Sequence, residues 1–262
     1  MISVLSDMMS YTFIVRAMIV GGLVALCSAL LGVSLVLKRY SMIGDGLSHV
    51  AFAALTIAVA MNVAPLYIST PIVTVAAIIL LRLSENSKIK GDSAIALIST
   101  VSIAIGVVVT ALTKGMNTDV YSYMFGSILA MSESDVYMSI ALSVVVIILF
   151  VFFYNKIFAV TFDESFAKAT GTRADAYNMI IAVLTAITIV VGMRIMGTML
   201  ISSLIIFPAL ISMRNFKTFK SVIICSAIVS VVCFLLGIIL SYLYSIPTGA
   251  SIVLVNTVAL IL

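Results

Sequence analysis

Charge is scarce in this sequence. Only 9% of its 262 residues are Asp, Glu, Lys or Arg, against 63% hydrophobic, whereas a soluble domain carries about 25% charged and under half apolar residues. A chain so poor in charge cannot cover its own surface in water, which excludes a soluble enzyme. The same apolar excess, without a short repeat, excludes a disordered or fibrous protein. Histidine is scarcer still: His49 is the single one. Cysteine is limited to Cys27, Cys225 and Cys233, all inside apolar tracts and without CxxC spacing, so these read as small buried apolar residues. No Gly-x-x-x-x-Gly-Lys-Ser/Thr loop occurs, and Lys90-Gly and Lys114-Gly are the nearest approaches; the chain is not expected to be an ATPase itself. HExxH and GxSxG are also missing, which counts against an intramembrane hydrolase. The opening MISVLSDMMSYTF lacks a basic region and a small-residue cleavage site, so a cleaved signal peptide is not expected.

What is abundant is apolar length. A helix needs about 20 apolar residues to cross the hydrocarbon. Tracts of that kind run over Ala17–Leu37, Ile43–Asn62, Pro65–Leu81, Ser93–Thr113, Val136–Asn155, Ala176–Met193, Ile195–Met213 and Ser221–Tyr244, with a shorter one at Thr248–Leu262. They lack the alternation of a barrel strand, and backbone amides in lipid must be satisfied within the segment. The expectation is an all-α polytopic transmembrane bundle of eight or nine spans, a single domain over 1–262. Small residues throughout the tracts fit close helix packing. Met193, Met196 and Met199 read as packing filler rather than a path for a soft metal.

The basic residues give direction. Lys38/Arg39, Arg82/Lys88/Lys90, Lys156/Lys168/Arg173 and Arg214/Lys217/Lys220 fall on one side if every tract crosses, which is 11 of the 14. The positive-inside rule makes that side cytoplasmic and puts Gly115–Asp135 outside. The net charge of +4 is explained by these loops, so no nucleic-acid partner is expected. The longest cytoplasmic loop, about 156–175, contains Thr161-Phe-Asp-Glu-Ser-Phe-Ala-Lys-Ala-Thr-Gly171. It reads as a short helix capped by Thr161 with Glu164 in a capping box, and closed by Gly171 at C′. Phe162, Phe166 and Ala169 then share a face, packed back on the bundle or offered to a cytoplasmic partner.

Ionisable residues inside a span mark function more often than structure. In Lys38-Arg-Tyr-Ser-Met-Ile-Gly-Asp-Gly-Leu-Ser-His49, Asp45 and His49 are four apart and face the same way on a helix. His49 lies about 15 Å past Arg39, near the bilayer midplane, with Asp45 about 10 Å past it. Gly44 and Gly46 permit a close neighbour or unwinding. Three readings stand at this point: a structural contact, a proton relay, or a pair of metal ligands. A tetrahedral zinc site wants four ligands and one chain offers two, a shortage that a two-fold dimer repairs.

The same run resembles the signature of the permease subunits of bacterial ABC-type zinc and manganese importers, which carry a Gly-Asp-small-Leu-Ser/Ala-His motif in their second span. Asp119-Val-Tyr-Ser-Tyr-Met-Phe-Gly126 is similar to the family's aromatic-Leu-Phe-Gly segment. Asp163–Gly171 is similar to its cytoplasmic coupling segment, and Gly197-Thr-Met-Leu-Ile-Ser-Ser-Leu-Ile-Ile-Phe-Pro208 with Ser245-Ile-Pro-Thr-Gly249 resembles its later hallmarks. The abrupt end at Leu262, without a charged tail, departs from the pattern and reads as a slight truncation. The resemblance implies a multi-pass protein of the bacterial cell membrane. It would work as a homodimer with cytoplasmic ATP-binding subunits and an extracytoplasmic metal-binding protein, and would not itself be an enzyme. It also implies Asp45 and His49 as metal ligands, and Asp163, Glu164, Phe166, Ala167 and Gly171 as the segment coupled to the ATPase. No permanently bound cofactor is expected, only transported Zn²⁺ or Mn²⁺. The later segments look closer to the zinc branch. The rival class is an ion-gradient-driven transporter or channel with Asp45 and His49 as proton carriers; the coupling-like helix and the lack of an internal repeat count against it.

Overall fold

The computed structural model describes residues 10–86, 91–113 and 133–262, and every regular element among them is a helix. In chain order these are α1 (Thr12–Leu37), α2 (Ile43–Ala60), α3 (Pro65–Asn86), α4 (Gly91–Leu112), α5 (Glu133–Phe152), α6 (Tyr154–Phe162), α7 (Glu164–Ala169), α8 (Ala174–Met196), α9 (Thr198–Asn215), α10 (Phe219–Tyr244) and α11 (Thr248–Ile261). Seven are long and apolar enough to cross a membrane: α1, α2, α4, α5, α8, α9 and α10. Leu66–Arg82, within α3, and α11 are shorter apolar helices. Among the described residues length and composition therefore give seven candidate spans, and adding one or both of these shorter helices gives the expected eight or nine. Lys88, Lys90, Lys114 and Asp119–Gly126 lie outside the described residues.

Tight reversals separate consecutive helices. Arg39 (φ 61°) joins α1 to α2, Asn62 (φ 53°) precedes α3, Gly197 (φ 84°) divides α8 from α9, and Ser245 (φ 52°) precedes α11. Each reversal spends one left-handed residue, a region most L-residues avoid.

α1 forms the centre. Every residue from Cys27 to Leu35 is buried, as expected of a helix apolar all round. It packs against α10, α9, α8 and α5, while α2 packs against α4, α3, α8 and α9. Thus α8 and α9 bridge the central helix to α2. Gly32 permits the α1–α9 crossing, because a Cβ there would lie 2.2 Å from the Ile205 carbonyl oxygen. Serines tie the apolar helices together: the Ser230 hydroxyl donates to the Ala25 carbonyl at 2.9 Å, and Ser251 donates to Gly237 at 2.9 Å. Such bonds replace the hydrophobic drive that lipid removes. α4 and α5 are the least buried spans, with Leu97, Val101, Val108 and Leu112 of α4 facing outward. Cys27 and Cys233 are buried and all three cysteines are free. Met193 and Met196 are in the core while Met199 is exposed, so the three line no common face.

Contacts between distant residues sort the two ends of the bundle. Arg16 at the start of α1 pairs with Glu133 at the start of α5. At the other end Lys38 meets Glu164, the Tyr154 and Phe219 rings lie 5.7 Å apart, and Arg214 donates to the Leu260 carbonyl. The described residues Lys38, Lys168 and Arg214 therefore share one end, the one that the positive-inside rule assigns to the cytoplasm.

Candidate metal centre and coupling segment

The first turns of α2 are fixed by glycine. A Cβ on Gly44 would lie 3.0 Å from Ile205 Cδ1 of α9, and one on Gly46 would lie 2.6 Å from Ile95 Cγ2 of α4. The two glycines admit close neighbours; α2 is continuous through them, so the unwinding alternative is not taken. Between the flanking helices, most of the first half of α2 is buried. The accessible positions from 43 to 58 are Asp45, His49 and Ile57; Ala53, at the intervening four-residue step, is small and buried. The helix thus presents one narrow open stripe, and both ionisable residues stand on it.

His49 Nε2 and Asp45 Oδ2 are 3.6 Å apart, with side chains 22% and 46% exposed. That is too long for a hydrogen bond. It is close to the spacing a shared cation imposes, since donors about 2.1 Å from one tetrahedral zinc lie about 3.4 Å from each other. The Ser48 hydroxyl is turned back onto the Asp45 carbonyl at 2.7 Å, so Ser48 is a helix-backbone donor and does not join the pair. Among the described residues no three His, Cys, Asp or Glu side chains cluster; one chain brings two donors together.

The candidate coupling segment, 161–171, departs from the sequence expectation at its start and agrees with it at its end. Thr161 belongs to α6, where its hydroxyl is buried without a hydrogen-bond partner. The N-cap of α7 is Asp163, whose Oδ1 accepts from the Phe166 amide at 2.8 Å; a carboxylate there also meets the positive end of the helix. Gly171 takes the C′ position at φ 80°. Its amide donates to Lys168 and that of Thr172 to Ala167, the paired bonds of a Schellman close. The break at Asp163 puts Phe162 on α6 and Phe166 and Ala169 on α7. Phe162 meets Phe158 and Phe219, with ring centroids 5.0 and 6.0 Å away, and Phe162, Phe166 and Ala169 all remain exposed. α7 rests instead on Ala167, buried with Val160 and Ala174. Asp163→Ala is expected to cost about 1 kcal/mol locally, read as roughly fivefold faster amide exchange over 166–169 with exchange in α1 unchanged.

Sequence spacing missed a polar cluster beneath α7. Lys38 Nζ donates to Asn178 Oδ1 and lies 3.5 Å from Glu164 Oε2; Asn178 Nδ2 donates to the same Glu164 oxygen at 3.0 Å. The other oxygen of Glu164 meets Lys168 at 3.0 Å, and Lys168 reaches Asp175 at 2.9 Å. Burial alone would raise the Glu164 carboxyl. Hydrogen bonds from Asn178 and Lys168, with the charges of Lys38 and Lys168, outweigh it and hold the group below its ordinary range. The cluster is therefore complete at neutral pH, and its contribution is lost only as pH falls through that depressed value. Asp175 first, then Glu164, pushes the Lys168 ammonium upward. These partners lie 126 and 140 residues from Lys38; a lone Asn in the first turn of an apolar tract was the one visible signal.

Residues 10–262 match the family described as ABC 3 transport family. The chain is 30% identical over 97% of its length, and 96% of the relative, to a "Probable metal transport system membrane protein" of Treponema pallidum. It is 29% identical, covering 94% of each chain, to the "High-affinity zinc uptake system membrane protein ZnuB" of Haemophilus influenzae. With the "Manganese transport system membrane protein MntC" of Halalkalibacterium halodurans it shares 26% identity over 95% of this chain and 85% of the other. Among solved structures, "PsaBC from Streptococcus pneumoniae in complex with Fab" superposes at a TM-score of 0.89 with 26% identity, covering 100% of this chain and 94% of that one.

Proposed function

The chain belongs to the ABC 3 transport family, and on that premise we propose that it is the membrane-spanning permease of an ATP-driven importer that passes Zn²⁺ inward. It is a transport component rather than a catalytic one, in a multi-pass membrane setting. The observation that carries the reading is the open stripe of α2, where a carboxylate and an imidazole stand 3.6 Å apart on an otherwise buried helix.

Two donors hold a divalent ion weakly. A second copy related by a two-fold axis along that stripe supplies two more, closing a set of two imidazoles and two carboxylates. A four-donor set containing two nitrogens suits Zn²⁺ better than Mn²⁺, which favours a larger shell of oxygens. Relatives named for each metal match about equally well, so donor chemistry supports zinc. Movement of the two copies during the ATP cycle would separate the paired donors and release the ion. Hydrolysis falls to cytoplasmic subunits docked on α7, where Asp163 and Gly171 shape the segment, Ala167 anchors it, and Glu164 and Phe166 lie on it. An extracytoplasmic binding protein would deliver the metal at the opposite end. The shorter α3 and α11 would complete nine crossings.

The test is metal uptake by the permease reconstituted with its ATP-hydrolysing partner. Zinc is expected to inhibit manganese uptake at about tenfold lower concentration than the reverse. Manganese displacing zinc at equal concentration would reassign the cargo, and ATP-independent uptake would sink the importer reading.

A further inference from the structure

The cluster around Lys38 links α7 to the turn that leads into α2. α7 packs on α6 and α8, whereas α2 packs on α3, α4, α8 and α9. Lys38 caps the end of α1 and lies in the turn that leads into α2. That turn is tight: Arg39 is left-handed, the Tyr40 amide donates to Leu35 at 2.8 Å, and the Ile43 amide donates to Tyr40 at 3.0 Å. Asp45 follows Lys38 by about two helical turns.

We infer that Lys38, held by Glu164 and Asn178, is the positioning residue through which movement of α7 reaches the metal-binding helix α2. Burial makes the tether firm. The Lys38 side chain is 10% exposed and Asn178 is buried, and in so poorly solvated a site water cannot replace the charge-assisted contacts of Lys38 with Glu164 and Asn178, so breaking them is costly. An exposed ion pair would carry no such obligation. The Asn178 amide is oriented by both partners, accepting from Lys38 and donating to Glu164, so the three groups move as a unit. A shift of Glu164 with a docked subunit therefore pulls the α1–α2 turn, and with it the register of Asp45 and His49 against the second copy. The small residues flanking Asp45 on α2 leave little slack for α2 to absorb that pull, since Gly44 and Gly46 sit against α9 and α4.

This inference rests on the permease reading. The experiment uses the permease–ATPase complex in proteoliposomes and measures zinc moved per ATP hydrolysed, with co-purification of the ATPase subunit and the melting temperature alongside. In Lys38→Met the ATPase subunit is expected to stay bound and hydrolysis to remain within about twofold, while zinc moved per ATP falls about tenfold. Lys38→Arg, which keeps the cation, is expected to recover at least half of the loss. Asn178→Leu removes the bridging amide and leaves the lysine in place; it should show the same uncoupling and carries the test should Lys38→Met fail to assemble. Wild-type coupling that survives in both Lys38→Met and Asn178→Leu overturns the link alone. Loss of the ATPase subunit with unchanged zinc per ATP in the remaining complex also overturns it, since Lys38 then serves docking only. A wild-type complex that hydrolyses ATP yet moves no metal overturns the permease reading and the link with it.

Discussion

Zinc uptake by the reconstituted complex is expected to fall by more than about 100-fold when His49 is replaced by Ala, and equally for Asp45→Ala. Removing an outer-shell partner of a metal ligand costs roughly 10–100-fold in affinity; removing a ligand itself, twice over in the proposed dimer, would cost more. The loss should not come from unfolding. Both side chains lie on the accessible stripe of α2 and neither fills the core. Alanine is the better helix former at the interior position 49, by roughly half a kcal/mol; at 45 that gain is offset by the loss of a first-turn carboxylate, worth about as much. The melting temperature of the variants should therefore stay level or rise while metal bound by the purified protein disappears. Asp45→Asn sharpens the result, because it keeps the shape and removes the charge that attracts the cation. Uptake that persists in His49→Ala at wild-type rate would leave the pair a structural contact and end the metal reading.

Periodicity and composition made most of this fold legible, for a physical reason. Lipid forces every backbone amide to be satisfied within its own segment, so each apolar tract is a helix whatever its neighbours do. Asp45 and His49 were legible for the same reason: ionisable residues are so disfavoured in a span that their presence needs an explanation. Gly171 was legible because a left-handed C′ position favours glycine. What stayed hidden depends on the third dimension. Asp163 displaced Thr161 as the cap because α6 runs on through Thr161 to Phe162, and Thr161 and Asp163 are both good caps on paper. Phe162, read as sharing a face with Phe166 and Ala169, meets the Phe219 ring, which lies on a helix that no local spacing could bring there. Lys38 read as one more loop cation, and only the packing of α8 against α1 brings Asn178 to it.

A close backbone crossing and the candidate metal centre meet in one residue, which sets the second large expectation. Ile205 of α9 presents its backbone to Gly32 and the end of its side chain to Gly44. In Gly32→Ala the new methyl would lie 2.2 Å from the Ile205 carbonyl oxygen and 3.0 Å from its carbon. A side chain could swing aside; a helix backbone cannot, so α1 and α9 must part. Overpacking of this kind costs on the order of 3 kcal/mol. Gly22→Ala in the same helix is the matched control, because a Cβ there meets nothing within 4 Å. Trading glycine for alanine in a helix interior is worth about 1 kcal/mol, so this variant should be slightly more stable than wild type. Thermal melts of the two purified variants should therefore move in opposite directions, and a Gly32→Ala melt at or above wild type would refute the close crossing. Function should follow the same contact. Once α9 is displaced, Ile205 no longer seats Gly44, the residue before Asp45, and the stripe carrying Asp45 and His49 turns out of register with the second copy proposed to face it. Gly32→Ala protein that is still folded should then bind zinc more weakly although no donor has been touched, whereas Gly22→Ala should bind it as wild type does.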